Sequence, residues 1–243
     1  MKENRFLRHC AITSAAVSLF LCVWSVPAAT KTGYDTSLDP LAIYGSEIRF
    51  DVLRNGQVAG WHRTTFVENG TGLEVHSVFD LKIDFLFFTV FRFRYESEAS
   101  WRDGALENLK ARTDDDGTMS SFEAVRDGAN YVIENGRETY STRSPIYPTD
   151  HWNPAVLRQQ RVLNTLTGRI NQVEITPVDR ETVQTEHGPI AATRYAYTGE
   201  LETEVWYDDA GRWVKMRFAG RDGSTIEYVC RRCQGSAIRK AAQ

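Results

Sequence analysis

Along most of the chain, apolar and charged residues change places at every second position. Ile48, Phe50 and Val52 interleave with Glu47, Arg49 and Asp51; Phe79, Leu81, Ile83 and Phe85 with Asp80, Lys82 and Asp84; Phe91, Phe93 and Tyr95 with Arg92, Arg94 and Glu96. A period of two belongs to a β-strand that buries one face and wets the other, as in an antiparallel sheet covered on one side. The theme returns over residues 172–176, 181–186, 191–198, 202–207, 212–218 and 225–230. Asn-Gly or Asp-Gly pairs at 55–56, 69–70, 103–104, 116–117, 127–128, 135–136 and 222–223 supply the positive φ that tight hairpins need. Together these signals predict about a dozen antiparallel strands.

One segment breaks the rhythm. Residues 136–187 hold no strong hairpin pair, and Tyr147-Pro148-Thr149-Asp150-His151-Trp152-Asn153-Pro154 leads into a run that tolerates helix. Asn153 can cap and Pro154 suits the first helical position, which predicts a helix of about ten residues near 154–163, ending before Gly168. A helix that short is marginal alone, so it is expected to pack on the sheet.

The first 29 residues have a different character. Lys2, Arg5 and Arg8 precede a largely apolar stretch from Ala11 to Val26, and Val26-Pro27-Ala28-Ala29 suits a signal peptidase. Thr13, Ser14 and Ser18 weaken the alternative of an uncleaved anchor, which needs about 20 apolar residues. Neither Cys10 nor Cys22 follows the small residue expected before a lipid-modified cysteine. The chain is therefore expected to be exported, periplasmic and soluble after cleavage. Its parts are a signal at 1–29, a lead-in at 30–40, one β domain at 41–233 and a tail at 234–243.

Loss of the signal changes charge and cysteine content. Three of 29 basic residues and one of 32 acidic ones leave, giving 26 against 31 and a net charge of −5 in place of −3. That balance offers no global attraction to nucleic acid. Only Cys230 and Cys233 remain, in a Cys-Arg-Arg-Cys spacing just after a strand-like segment. A redox unit would place such a pair in a βαβ context, which is missing, so a local disulfide or two idle thiols is the reading. No second close Cys/His pair completes a zinc site, and no metal or cofactor is implied. HExxH, GxxxxGK[ST], GxSxG and a post-strand GxGxxG are absent.

The densest apolar feature is Phe85-Leu86-Phe87-Phe88-Thr89-Val90-Phe91, where alternation fails at a strand-to-strand connection. It suggests a mouth or lid that touches a greasy ligand through Phe85, Leu86, Phe87, Phe88 and Phe91, with Trp152 as a further wall; the rival reading has the tip covered by the helix or by Trp152. Arg92 and Arg94 follow, as partners for an anionic head group or for carboxylates such as Asp80 and Asp84 across the sheet. Asp150-His151 is a carboxylate–imidazole neighbour pair at a helix entry, and a cap with packing competes there with catalysis. Asp114-Asp115-Asp116-Gly117 fails as a calcium loop at Arg112 and reads as a solvated turn. Trp206, Tyr207 and Trp213 form either an aromatic platform or cross-strand packing.

Asp150-His151-Trp152-Asn153-Pro154, Leu163-Asn164-Thr165-Leu166-Thr167-Gly168, Val205-Trp206-Tyr207-Asp208-Asp209 and Asp222-Gly223-Ser224-Thr225-Ile226-Glu227-Tyr228 resemble an uncharacterised family of exported bacterial domains. The likeness runs from about Ile43 to Val229. That family is similar in fold to the lipoprotein-localisation (LolA/LolB-like) carriers, whose curved antiparallel sheet wraps a helix and holds acyl chains. The resemblance implies a mainly β chain: a strongly curved antiparallel sheet, an open or half barrel, packed around one short α-helix. The leading expectation is a non-enzymatic binding or carrier module for a lipid or other apolar ligand. The alternatives are an interaction protein docking on an envelope partner and, on Asp150-His151 alone, a hydrolase.

Overall fold

Pairs of neighbouring hairpins account for almost the whole topology. In the computed structural model, which describes residues 38–70, 72–85 and 88–235, the first meander comprises β1 (Glu47–Arg54), β2 (Gln57–Glu68), β3 (Leu73–Phe85), β4 (Phe88–Arg102), β5 (Ala105–Asp115), β6 (Thr118–Asp127), β7 (Asn130–Glu134) and β8 (Thr139–Arg143). The second comprises β9 (Arg161–Asn164), β10 (Arg169–Thr185), β11 (Gly188–Gly199), β12 (Thr203–Asp208), β13 (Trp213–Ala219) and β14 (Thr225–Arg232). Within each meander every strand pairs antiparallel with its sequence neighbours, and β1 also pairs with β14, so one 14-stranded sheet runs from β8 through β1 and β14 to β9. The export signal, most of the lead-in, the tail beyond 235 and the expected contact residues Leu86 and Phe87 lie outside the described residues, as does the side chain of Phe85.

The β1–β14 seam joins the two meanders, and both faces of the sheet support it. Phe50 and Val52 stand opposite Cys230 and Tyr228 in register, all four buried. On the wet face Arg231 pairs with Asp51 at 2.6 Å and Arg232 with Glu47 at 3.0 Å. Exposed pairs of this kind add little, about 0–1 kcal/mol each, whereas burying a large apolar side chain contributes about 1.5–3 kcal/mol. The seam is held by its apolar face.

The sheet does not close. Its terminal strands, β8 and β9, are only five and four residues long, and the outer side of β9 is covered by residues 147–149, where Leu163 donates to the Tyr147 carbonyl at 2.9 Å and Thr149 to the Leu163 carbonyl at 3.0 Å, which limits the exposed template for foreign strands. Residues 144–160 run between those edges and turn inward, burying Ile146, Trp152, Ala155 and Val156. Trp152 stacks edge-on against Trp101 at 5.1 Å and Phe66 at 5.5 Å between ring centroids, contacts worth about 0.5–1.5 kcal/mol each beyond burial. Its carbonyl accepts from the Tyr44 hydroxyl at 2.9 Å, and that hydroxyl accepts from the Trp213 N–H at 2.8 Å.

The helix expected over 154–163 is one 3-10 turn, Pro154–Arg158, capped as anticipated by Asn153, whose side chain accepts from the Ala155 N–H at 3.0 Å. Gln159 is extended, and residues 161–164 form β9 against β10. The run is too short to sustain an α-helix alone, and Val162 and Leu163 bury better in a hairpin. A second helical turn, α1 (Pro40–Tyr44), is capped by Asp39, whose carboxylate accepts from Leu41 at 2.9 Å; it lies where the lead-in was expected to end and seats Tyr44 in the core. Close approach of the backbone demands glycine at position 60: a Cβ there would lie 2.1 Å from the Asp80 carbonyl oxygen on β3.

Candidate functional site

The inward faces of the two meanders leave a space between them. It amounts to about 640 Å³, within the usual range of about 300–1,000 Å³ for small-molecule sites. Burial grades along it. Leu81, Ile83, Phe91, Phe93, Met216 and Phe218 line its sides, and most of them are only half-buried. At the closed end His62, Tyr95, Asp150, His151, Trp213 and Tyr228 are all buried. Arg54, Glu202, Arg221 and Asp222 border the mouth, where Arg54 pairs with Asp222 at 2.5 Å and Arg221 reaches across to Asp115 at the end of β5.

The closed end is polar chemistry held in aromatic surroundings. His62 lies among Phe50, Phe79, Trp213 and Tyr228, with ring centroids 5.4–6.3 Å away. Its Nε2 is 3.4 Å from the Thr64 hydroxyl, which pairs with Ser77 at 2.9 Å. His151 sits between Tyr197 and Trp213, each 5.6 Å away, with a φ of +59°, and its carbonyl accepts from the Tyr207 hydroxyl at 2.6 Å. Burial lowers the pKa of His62 to about 3; burial and then nearby His62 lower that of His151 to about 3. Burial raises Asp150 to about 7 against the opposing hydrogen bond from the Trp152 indole. Within the described residues neither His62 Nδ1 nor His151 Nδ1 finds a partner.

The candidate residues of the apolar run divide between surface and cavity. Phe91 lines the cavity, as does Val90, whereas Phe88 is 72% exposed at the hairpin tip. Phe85 stands opposite Phe88 in the ladder. Trp152 does not border this cavity. It packs at the far end of β4, near Trp101, and lines a separate cleft of about 560 Å³. Arg92 pairs with Asp80 at 3.0 Å, and Arg94 is exposed on the outer face opposite Asp80 and Asp114.

Asp150 and His151 are brought to the cavity but not to each other. The Asp150 carboxylate accepts from the Trp152 Nε1–H at 2.9 Å, and no hydrogen bond joins it to the imidazole among the described residues. An imidazole with a pKa near 3 is also poorly matched to general-base work at neutral pH. Trp206 and Tyr207 are buried cross-strand packing, whereas the buried Trp213 borders the closed end of the cavity. Asp114 accepts from the Gly117 N–H at 2.8 Å in a hairpin turn. Cys230 and Cys233 form a disulfide, and the adjacent Glu186 accepts from the backbone N–H groups of Cys233 and Gln234, each at 2.8 Å.

Sequence reading missed His62, Tyr95 and Tyr228 as site residues. The parity of β2 carries the signal for the first: Phe66 and Thr64 face inward, so His62 must, while Trp61 turns to water.

Residues 50–231 match a family model described as Domain of unknown function (DUF6134). Among solved structures the chain is similar to the crystal structure of a beta-barrel-like protein of domain of unknown function DUF1849 from Brucella abortus. The TM-score is 0.53 at 8% identity, covering 77% of this chain and 96% of that one, a likeness of fold. No curated protein matches.

Proposed function

The chain belongs to the DUF6134 family of domains of unknown function, and from that premise we propose that it is an exported binding or carrier module for an apolar or amphipathic, lipid-like ligand held inside its open barrel. The observation that carries this reading is the cavity of about 640 Å³ with apolar sides, in a fold whose interior would otherwise be packed to core density. The N-terminal pattern of Lys2, Arg5, Arg8 and the Ala11 to Val26 stretch supports a periplasmic setting. The resemblance to lipoprotein-localisation carriers agrees with the same use of a curved sheet. Among the described residues no helix is long and apolar enough to cross a membrane.

Nile red, an apolar dye that brightens out of water, tests the reading. It is expected to bind the wild type and to lose most of its signal in Met216→Trp, which fills the cavity from its side. Equal binding by both proteins, or by neither, overturns it. A second use of the same end of the sheet is favoured by Phe88, exposed two residues along β4 from the cavity-lining Val90. There the tip docks on an envelope partner or a lipid surface, and Phe88→Asp would abolish the association while Nile red still binds.

A further inference from the structure

The cavity is not uniform along its length. Half-buried aliphatic and aromatic side chains line it toward the mouth, and two buried imidazoles, a carboxyl and two phenols close it. From this polarity we propose that the ligand lies polar end inward: the closed end recognises an uncharged hydroxyl or amide head on a single-tailed amphiphile, whose chain runs past Phe93 toward the mouth. The proposal rests on the carrier reading and specifies its ligand class.

Three comparisons lead to this class. A plain hydrocarbon would offer no partner to the imidazoles of His62 and His151, whose buried Nδ1 atoms find none within the described residues, at about 1–3 kcal/mol for each polar atom left unmatched. An anionic head would meet no cation at the closed end, only the Asp150 carboxyl; the cations that border the cavity, Arg54 and Arg221, stand at the mouth and are paired with Asp222 and Asp115. A cationic head would give up its water to face imidazoles that burial keeps neutral, and the carboxyl there, Asp150, already accepts from the Trp152 indole at 2.9 Å. A hydroxyl or amide both donates and accepts, so it satisfies a neutral imidazole in either tautomer, with the Thr64–Ser77 hydroxyl pair next to His62. A space of about 640 Å³ suits one tail better than two.

Displacement of Nile red at neutral pH by monolaurin, lauryl alcohol, laurate and lauryltrimethylammonium, four head groups on one tail, provides the test. Monolaurin and lauryl alcohol are expected to bind at least about tenfold more tightly than the two charged probes. His62→Leu should erase most of that preference, while Arg94→Gln, on the outer face of the sheet, should leave it within about twofold. Laurate binding as tightly as monolaurin overturns the proposal, as does a preference unchanged in His62→Leu. Should the His62→Leu chain fail to fold, the wild-type series decides between these outcomes by itself. If Nile red and all four probes fail to bind, the carrier reading itself falls; if they bind without discrimination, only the head-group assignment falls.

Discussion

The phenol of Tyr207 donates a 2.6 Å hydrogen bond to the backbone carbonyl of His151, tying β12 to the loop that closes the cavity. Both partners are buried, so the carbonyl has no water to fall back on. Tyr207→Phe keeps the ring and removes the donor. It is expected to cost about 1–3 kcal/mol in urea unfolding and to weaken Nile red binding. Unchanged stability would mean that the loop is positioned by packing alone.

Acid should act through the two buried histidines. Their folded pKa values near 3 lie below the ordinary 6.5, so the stability they confer is present above about 6.5 and is lost as pH falls toward 3. Asp150 has the opposite sign. Its folded value of about 7 exceeds 3.8, so its contribution is present below about 4 and is lost as pH rises through 7. Each group changes stability by up to about 1.4 kcal/mol per pH unit in its window. Against wild type, His62→Leu is expected to gain relative stability as pH drops from about 6.5 to 4.5, and Asp150→Asn to gain as pH rises from about 5 to 7. Thermal melts across that range check both directions; parallel curves would contradict them.

Gly60→Ala should be severe for its size. Its Cβ would sit 2.1 Å from a backbone oxygen of β3, and a neighbouring strand cannot yield as a flexible side chain can. A loss of at least about 2 kcal/mol by chemical denaturation is expected, well above the sub-kilocalorie effect of an exposed surface change.

The Arg221–Asp115 pair spans the mouth but is largely exposed on the arginine side. Arg221→Ala is therefore expected to shift unfolding by no more than about 1 kcal/mol. Stopped-flow fluorescence should instead show faster Nile red entry and exit. Unaltered kinetics would show that the pair does not restrict the mouth.

Local chemistry carried most of what was legible in the sequence. Asn55 and Gly56, at φ of 50° and 81°, and Asp116 and Gly117, at 52° and 88°, do what their residue types allow, and alternation in β1 and β3 identified the buried faces. The β1–β14 seam was not legible, because nothing in Phe50 or Tyr228 names a partner at the other end of the chain. Nor was the fate of Val162 and Leu163, whose strand conformation depends on β10 arriving beside them. The apolar run drew attention to one side of the cavity, which Phe91 lines, yet the polar end escaped notice. His62 sits beside the more apolar Trp61, and only the strand's parity reverses the order that hydrophobicity suggests.

Native mass spectrometry of the protein isolated gently from the cells that make it tests the carrier reading most directly. The wild type is expected to fly with one retained uncharged, single-tailed amphiphile, and Met216→Trp as the bare chain. Wild type and variant both appearing only at the bare mass, with no Nile red binding in either, would contradict it.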